Sequence, residues 1–125
     1  MNKMLLYIWQ LPQNLLGLLV IRFTGSIKVK DYYVALNRKR WGVSLGKYII
    51  FGYYPNYVSI RHEQGHQKQS LYLGWLYLII IGIPSFCGNI FDRLFHRKWD
   101  VSKRYDWYFS QPWEKWADEL GGVNR

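Results

Sequence analysis

The chain has little cysteine and little negative charge, and it contains no internal repeat or low-complexity segment. Its single cysteine, Cys87, excludes an internal disulfide. Since Cys87 lies in an apolar run, we expect it to be buried and unreactive. The chain contains eight acidic and seventeen basic residues, and the resulting net charge of +9 favours an anionic partner.

Motifs for nucleic-acid binding are also lacking, which makes nucleic acid the weaker candidate partner, although a basic chain with interleaved aromatic residues can stack bases. The chain instead holds seven tryptophans and eleven tyrosines, residues that favour boundaries between apolar and aqueous surroundings. An anionic membrane surface therefore fits this composition better. At 125 residues, we expect a single domain over 1–125.

What the sequence does contain is an HExxH motif that begins at His62 and ends at His66. We predict a helix over about 57–72, and residues four apart share a helix face, so the two histidines can bind one zinc ion together. Glu63 would then lie beside the metal, where it can take a proton from a zinc-bound water. This arrangement is typical of zinc-dependent peptidases.

A second pattern downstream, ExxxD, could supply the remaining ligand. Zinc held by two histidines and a water needs a third protein ligand. Glu114 and Asp118 share one face of a helix that we predict to begin at Ser110-Gln111-Pro112 and to end at Gly121-Gly122. Glu114 could complete the metal site, and Asp118 could accept a hydrogen bond from a zinc-bound histidine. Rival third ligands, without a comparable pattern, are Asp92, Asp100 and Asp106.

With HExxH followed by ExxxD, the chain resembles the gluzincin zinc metallopeptidases, and most closely the membrane-bound CAAX-processing and heat-shock metalloproteases. The metzincin variant is excluded, because the glycine and histidine that it requires are replaced by Gln69 and Tyr72. Site-2 type intramembrane proteases share the HExGH form, but their LDG-type ligand motif is absent here. The resemblance implies a bacterial, membrane-associated enzyme with a peptide or protein substrate.

The same resemblance implies the roles of the site residues. One Zn²⁺ per chain would be held by His62, His66 and Glu114, with Glu63 as the general base that acts on a zinc-activated water. A further donor is expected to stabilise the oxyanion, and the candidates are His96, Tyr105 and Tyr108. The alternative for His96 is a surface histidine in a basic run. Two alternatives stay open: a degenerate zincin with structural zinc, and a basic membrane-surface binding protein without catalysis.

Two long segments carry no charged residue. The first, 4–21, is long enough to cross a bilayer. We read it as an apolar N-terminal helix that is bent and amphipathic, re-entrant, or a signal anchor; the alternative is a core helix of a soluble domain. Its middle is interrupted by Gln10, Pro12, Gln13 and Asn14.

The second charge-free segment, 69–91, lies between the two metal motifs. A single straight crossing would put the histidines and Glu114 on opposite sides of a membrane. Because Pro84 breaks or kinks a helix, we predict an apolar helical hairpin that turns at Gly82-Ile83-Pro84-Ser85. The hairpin could dip into the membrane or pack in a compact fold, and we favour a protein on the cytoplasmic side.

Between these segments, residues 22–57 mix charges, glycines and β-formers. We predict strands around 26–36 and around 42–53, and a solvated loop at Arg38-Lys39-Arg40 that could touch phosphates. The predicted fold class is therefore α+β. It is a minimal zincin-like fold with a small antiparallel sheet, the HExxH helix, the apolar helical hairpin and the C-terminal ExxxD helix.

Overall fold

The computed structural model describes residues 2–37 and 39–125, so Met1 and Arg38, the first residue of the predicted basic loop, lie outside it. Within these residues six α-helices accompany a four-stranded sheet, which confirms the α+β class. The helices are α1 (Lys3–Trp9), α2 (Leu11–Thr24), α3 (Tyr57–Leu73), α4 (Ile83–Phe95), α5 (Val101–Phe109) and α6 (Pro112–Gly121).

The sheet is mixed, whereas we predicted an antiparallel one. Its strands are β1 (Ile27–Val29), β2 (Tyr32–Val34), β3 (Gly42–Leu45) and β4 (Tyr48–Phe51), in the order β1-β2-β4-β3. The β1–β2 and β3–β4 pairs are antiparallel, but β2 and β4 are parallel. In this order β4 lies between β2 and β3, so the β3–β4 hairpin turns back and pairs β4 parallel to β2.

Each predicted strand segment is in fact a hairpin of two short strands. Lys30 turns the first with a positive φ of 52°, and Gly46 turns the second with a φ of 65°. The backbone N–H of Lys47 donates to Asn14 Oδ1 over 2.7 Å, which ties the second turn to α2. Every residue of β4 is buried, as expected for a central strand.

The N-terminal apolar run bends sharply at Gln10, because its polar residues turn inward. The axes of α1 and α2 differ by 87°. Gln13 and Asn14 are fully buried, and Gln13 Nε2 donates to Ser70 Oγ over 2.9 Å. The Ser70 hydroxyl in turn donates to Gln10 Oε1 over 2.6 Å. These hydrogen bonds fasten the bend to the end of α3.

The second apolar run does not form the predicted hairpin at Pro84. The helix breaks instead at Gly74, where φ is 55°, and a π-helical segment, Leu78–Gly82, continues directly into α4. Pro84 stands in the first turn of α4, directly after the π-helical segment, and the helix continues through it. Leu78–Phe95 is therefore one helical stretch. Among the described residues it is the one helix long and apolar enough to span a membrane.

A small core lies between the sheet and the N-terminal helices. It is built on Leu45, Tyr48 and Ile50. Cys87, which we expected to be buried, is exposed on α4. The reason is that α4 directs most of its apolar side chains outward and contributes no buried residue.

Candidate metal centre

The HExxH motif lies in the middle of α3, as predicted. The Asn56 side chain caps the helix by accepting from the Ser59 N–H over 2.8 Å. His62, Glu63 and His66 are all buried. Each offers one ligand atom, and these atoms lie within 4.8 Å of one another. This group could hold a metal ion.

The C-terminal helix α6 brings the ExxxD pattern onto the same site. It runs from Pro112 to Gly121, close to the predicted bounds, and Gly122 ends it with a φ of 73°. The two helices cross at Gly65, where a Cβ would overlap the backbone carbonyl of Ala117. Only glycine allows this close approach. The crossing places Glu114 and Asp118 against the HExxH face of α3.

Glu114 reaches both histidines with a single oxygen. Its Oε1 lies 3.1 Å from His62 Nε2 and 2.9 Å from His66 Nε2, and the side chain is fully buried. Burial opposes ionisation of this carboxyl, but the hydrogen bonds from the two rings hold its pKa well below the ordinary value. Two imidazole nitrogens and one carboxylate oxygen thus converge on one point.

The opposite nitrogen of each ring is held by a second acceptor. His62 Nδ1 donates to Asp118 Oδ1 over 2.7 Å, and His66 Nδ1 donates to Gln69 Oε1 over 2.6 Å. Burial alone would lower the pKa of His62, but hydrogen bonds to Asp118 and Glu114 raise it to about 9. Because Nδ1 of each ring is hydrogen-bonded, Nε2 is directed toward Glu114. A hydrogen bond at the second ring nitrogen is the usual support of a metal-binding histidine.

Glu63 is the unsatisfied member of the site. Its Oε2 is buried and has no hydrogen-bond partner among the described residues. Burial raises the pKa of its carboxyl, although the neighbouring His66 and His62 rings act in the opposite direction. A buried carboxylate without a partner is costly, so this oxygen fits a site that receives an ion, a water or a substrate.

Two residues of the site were missed by the sequence reasoning. Gln69 orients His66 and also donates from Nε2 to the Trp113 carbonyl over 2.9 Å. Its position three residues after His66 on one helix face was a usable signal. Ser85 donates to the second oxygen of Glu114. It lies in the apolar run among other hydroxyl-bearing side chains, so no local pattern singled it out. Its contact shows that Leu78–Phe95 passes beside Glu114.

A cleft of about 690 Å³ opens onto the site, and His62 and Glu63 form part of its wall. Tyr105 and Tyr108 also line this cleft. The Tyr108 hydroxyl lies 3.2 Å from Ser85 Oγ, and burial raises the pKa of the phenol well above its ordinary value, so it remains a proton donor. Ser85 thereby links Tyr108 to the Glu114 side chain.

His96 is not among the residues that line the cleft. Contrary to the surface alternative, it is buried, and its Nδ1 pairs with Asp92 over 3.0 Å. Its ring stacks on Trp99 at a centroid distance of 3.6 Å. Asp92 is further engaged by Arg104, and Asp100 caps α5 by accepting from the Lys103 N–H. These contacts give His96, Asp92 and Asp100 structural partners outside the HExxH and ExxxD motifs.

The chain matches no protein-family model, no curated protein and no solved structure. The resemblance to gluzincins therefore depends on the two motifs alone.

Proposed function

We propose that this chain is a membrane-associated zinc metallopeptidase. The observation that carries the proposal is the convergence of His62 Nε2, His66 Nε2 and Glu114 Oε1, with both Nδ1 atoms held from behind. Two imidazoles and one carboxylate are the donor set of many catalytic zinc sites, whereas magnesium and calcium prefer oxygen ligands.

Glu114, rather than Glu63, is the proposed third ligand. Glu114 already shares one oxygen between both rings, while the free oxygen of Glu63 leaves that side chain available as a base. Zinc, when bound, lowers the pKa of a water toward neutrality and polarises a carbonyl group. Glu63 takes a proton from the attacking water and passes it to the leaving amine.

The surrounding residues position these groups. Asp118 and Gln69 fix the two rings, and Ser85 fixes Glu114. Tyr108 and Tyr105 are the donors proposed for the oxyanion, since both line the cleft with Glu63. The Phe109 ring covers His62 edge to face at 5.1 Å, which limits access of bulk water to that side of the site.

The helices expose many apolar side chains and bury polar ones, which supports membrane association. Of the described residues, twenty-eight large hydrophobic side chains are exposed and only nine hydrophobic residues are buried. In α2 the buried positions are Gln13, Asn14 and Gly17, while leucines such as Leu15 and Leu19 face outward. Only 11% of Leu78–Phe95 is buried. Apolar surface of this extent suits lipid better than water.

The first experiment measures zinc per chain and peptide cleavage in detergent. We expect about one zinc in the wild type, kept in Glu63→Gln, weakened in Glu114→Gln and lost in His66→Ala. Glu63→Gln should lower kcat by a factor on the order of 10² or more. Zinc without hydrolysis would favour a degenerate zincin. A folded wild type that takes up no supplied zinc would overturn the proposal.

A further inference from the structure

The cleft above the metal site is strongly basic. Its acidic members are Glu63 and Asp92, against five basic residues. The basic residues of the cleft are Lys39, Arg40, Arg93, Arg104 and Arg125. A basic cleft raises the local concentration of anionic ligands, so its charge bears on which substrate enters.

Two of these cations are already neutralised. Arg104 Nη2 donates to Asp92 Oδ2 over 2.8 Å, and Arg125 Nε donates to Asp118 Oδ2 over 2.6 Å. These arginines belong to the scaffold and are not free to bind a ligand.

The other three cations lack an acidic partner. Over residues 2–37 and 39–125, no carboxylate lies within 4.0 Å of the charged nitrogens of Lys39, Arg40 or Arg93. All three side chains are exposed. They form what we call the cation wall of the cleft.

Arg93 is the fixed member of the cation wall. Its Nε donates to Asn89 Oδ1 over 2.7 Å, and its Nη2 donates to the backbone carbonyl of Arg40 over 3.0 Å. The second bond joins α4 to the segment before β3 and holds the two arginines side by side. A guanidinium fixed in this way is suited to pair with a carboxylate.

The cation wall lies close to the proposed base. A Cβ built on Gly42 would be 3.4 Å from Glu63 Oε1. Arg40 precedes Gly42 by two residues, so their Cα atoms are at most about 7 Å apart. The cation wall therefore begins beside the part of the cleft that holds Glu63, and an anion bound there lies a few residues along an extended peptide from the bond that reacts at Glu63.

We propose that Lys39, Arg40 and Arg93 bind a carboxylate of the substrate near the cleaved bond. The carboxylate is either the C-terminus of the peptide or an Asp or Glu side chain. This inference rests on the proposed peptidase function and adds to it a preference for acidic substrates. The cations share one cleft with His62 and Glu63, which favours a peptide ligand over a lipid head group.

The test measures peptide binding to the Glu63→Gln variant, which retains the cleft and is expected not to cleave. Three labelled peptides of one apolar sequence are compared by fluorescence anisotropy: a C-terminal acid, its amide, and the amide with one Asp. We expect a carboxylate to tighten binding about tenfold at low salt and less at high salt. Tight binding of the C-terminal acid alone identifies a terminal carboxylate, whereas tight binding of the Asp peptide identifies an acidic side chain.

Variants then locate the site. Arg40→Gln with Lys39→Gln should remove most of the preference, and Arg93→Gln should do the same, whereas Arg93→Lys should keep part of it because the charge remains. Arg97→Gln is the matched control, since Arg97 is exposed and does not line the cleft. Equal binding of acidic and neutral peptides, or equal losses in Arg97→Gln, would overturn the inference.

Further outcomes separate this inference from lipid binding and from the peptidase proposal. If the Arg40 and Lys39 changes weaken binding to phosphatidylglycerol vesicles but leave the peptide preference intact, the cation wall serves lipid and the inference fails. If the wild type holds no zinc yet prefers acidic peptides, the peptidase proposal fails and the anion site stands. If the protein cleaves peptides without preferring a carboxylate, the anion-site inference fails and the peptidase proposal stands.

Discussion

Asp118→Asn is the sharpest test of the proposed metal centre, because it changes one charge behind one proposed ligand, His62. Asp118 Oδ1 accepts from His62 Nδ1 over 2.7 Å. Asparagine keeps the shape of the side chain and one acceptor oxygen, but it removes the negative charge that raises the basicity of the ring. The effect on zinc therefore reports how His62 is supported.

The contacts of Asp118 indicate how much zinc affinity the Asp118→Asn variant should lose. Loss of a supporting partner commonly weakens metal binding 10- to 100-fold. Asp118 is 6% exposed, so solvent screens it little, but Arg125 already draws on both of its oxygens, at 2.6 and 3.2 Å. Because asparagine keeps an acceptor, we expect the lower end, about tenfold or 1.4 kcal/mol. Asp118→Ala removes the acceptor and should approach about 100-fold.

Competition with a chromogenic zinc chelator measures these affinities in detergent. Glu119→Gln is the control, since it removes an exposed acid next to Asp118 on α6 and should change the affinity less than twofold. If folded Asp118→Asn binds zinc as tightly as the wild type, Asp118 does not support His62 in the loaded site. Equal losses in Asp118→Asn and Glu119→Gln would point to net charge alone.

Three further predictions follow from other contacts. Gly65→Ala should lower the free energy of unfolding by about 1–3 kcal/mol and weaken zinc binding, because the added Cβ forces α3 away from α6. The control is Gly88→Ala, whose Cβ would meet nothing within 4 Å, and thermal unfolding should show it to be neutral or stabilising. Ser85→Ala should weaken zinc binding about three- to tenfold in the chelator assay, because an oxygen of buried Glu114 loses its donor; unchanged affinity would show that Ser85 is not needed. Phe86→Asp, at a 66% exposed position, should shift the protein from membranes to the soluble fraction on alkaline extraction, since a charge in lipid costs about 3 kcal/mol; unchanged extraction would argue against insertion of this helix.

The HExxH helix could be predicted from the sequence because helical periodicity acts over a few residues. A period of 3.6 residues places His62 and His66 on one face, and Asn56 and Gly122 mark helix ends by local capping. Gln69 falls under the same rule and could have been included. Ser85 could not be assigned, because its contact with Glu114 depends on how two distant helices pack.

The prediction for the apolar run 69–91 failed for a related reason. Proline disfavours a helix interior, but its effect depends on the turn that precedes it. Here a π-helical segment, Leu78–Gly82, comes directly before α4, and the helix continues through Pro84 to Phe95. The parallel pairing of β2 with β4 likewise depends on which gap the β3–β4 hairpin enters.

The sequence by itself determined the elements and the candidate ligands: an HExxH helix, an ExxxD helix, short strands and two charge-free helical runs. These follow from local sterics, capping and periodicity, which act within a few residues. Only the tertiary structure decided that Glu114 reaches both histidines, that Ser85 supports it and that unpaired cations line the same cleft. Those contacts join residues far apart in the chain, and they form because α6 packs against α3 at Gly65, where no side chain intervenes.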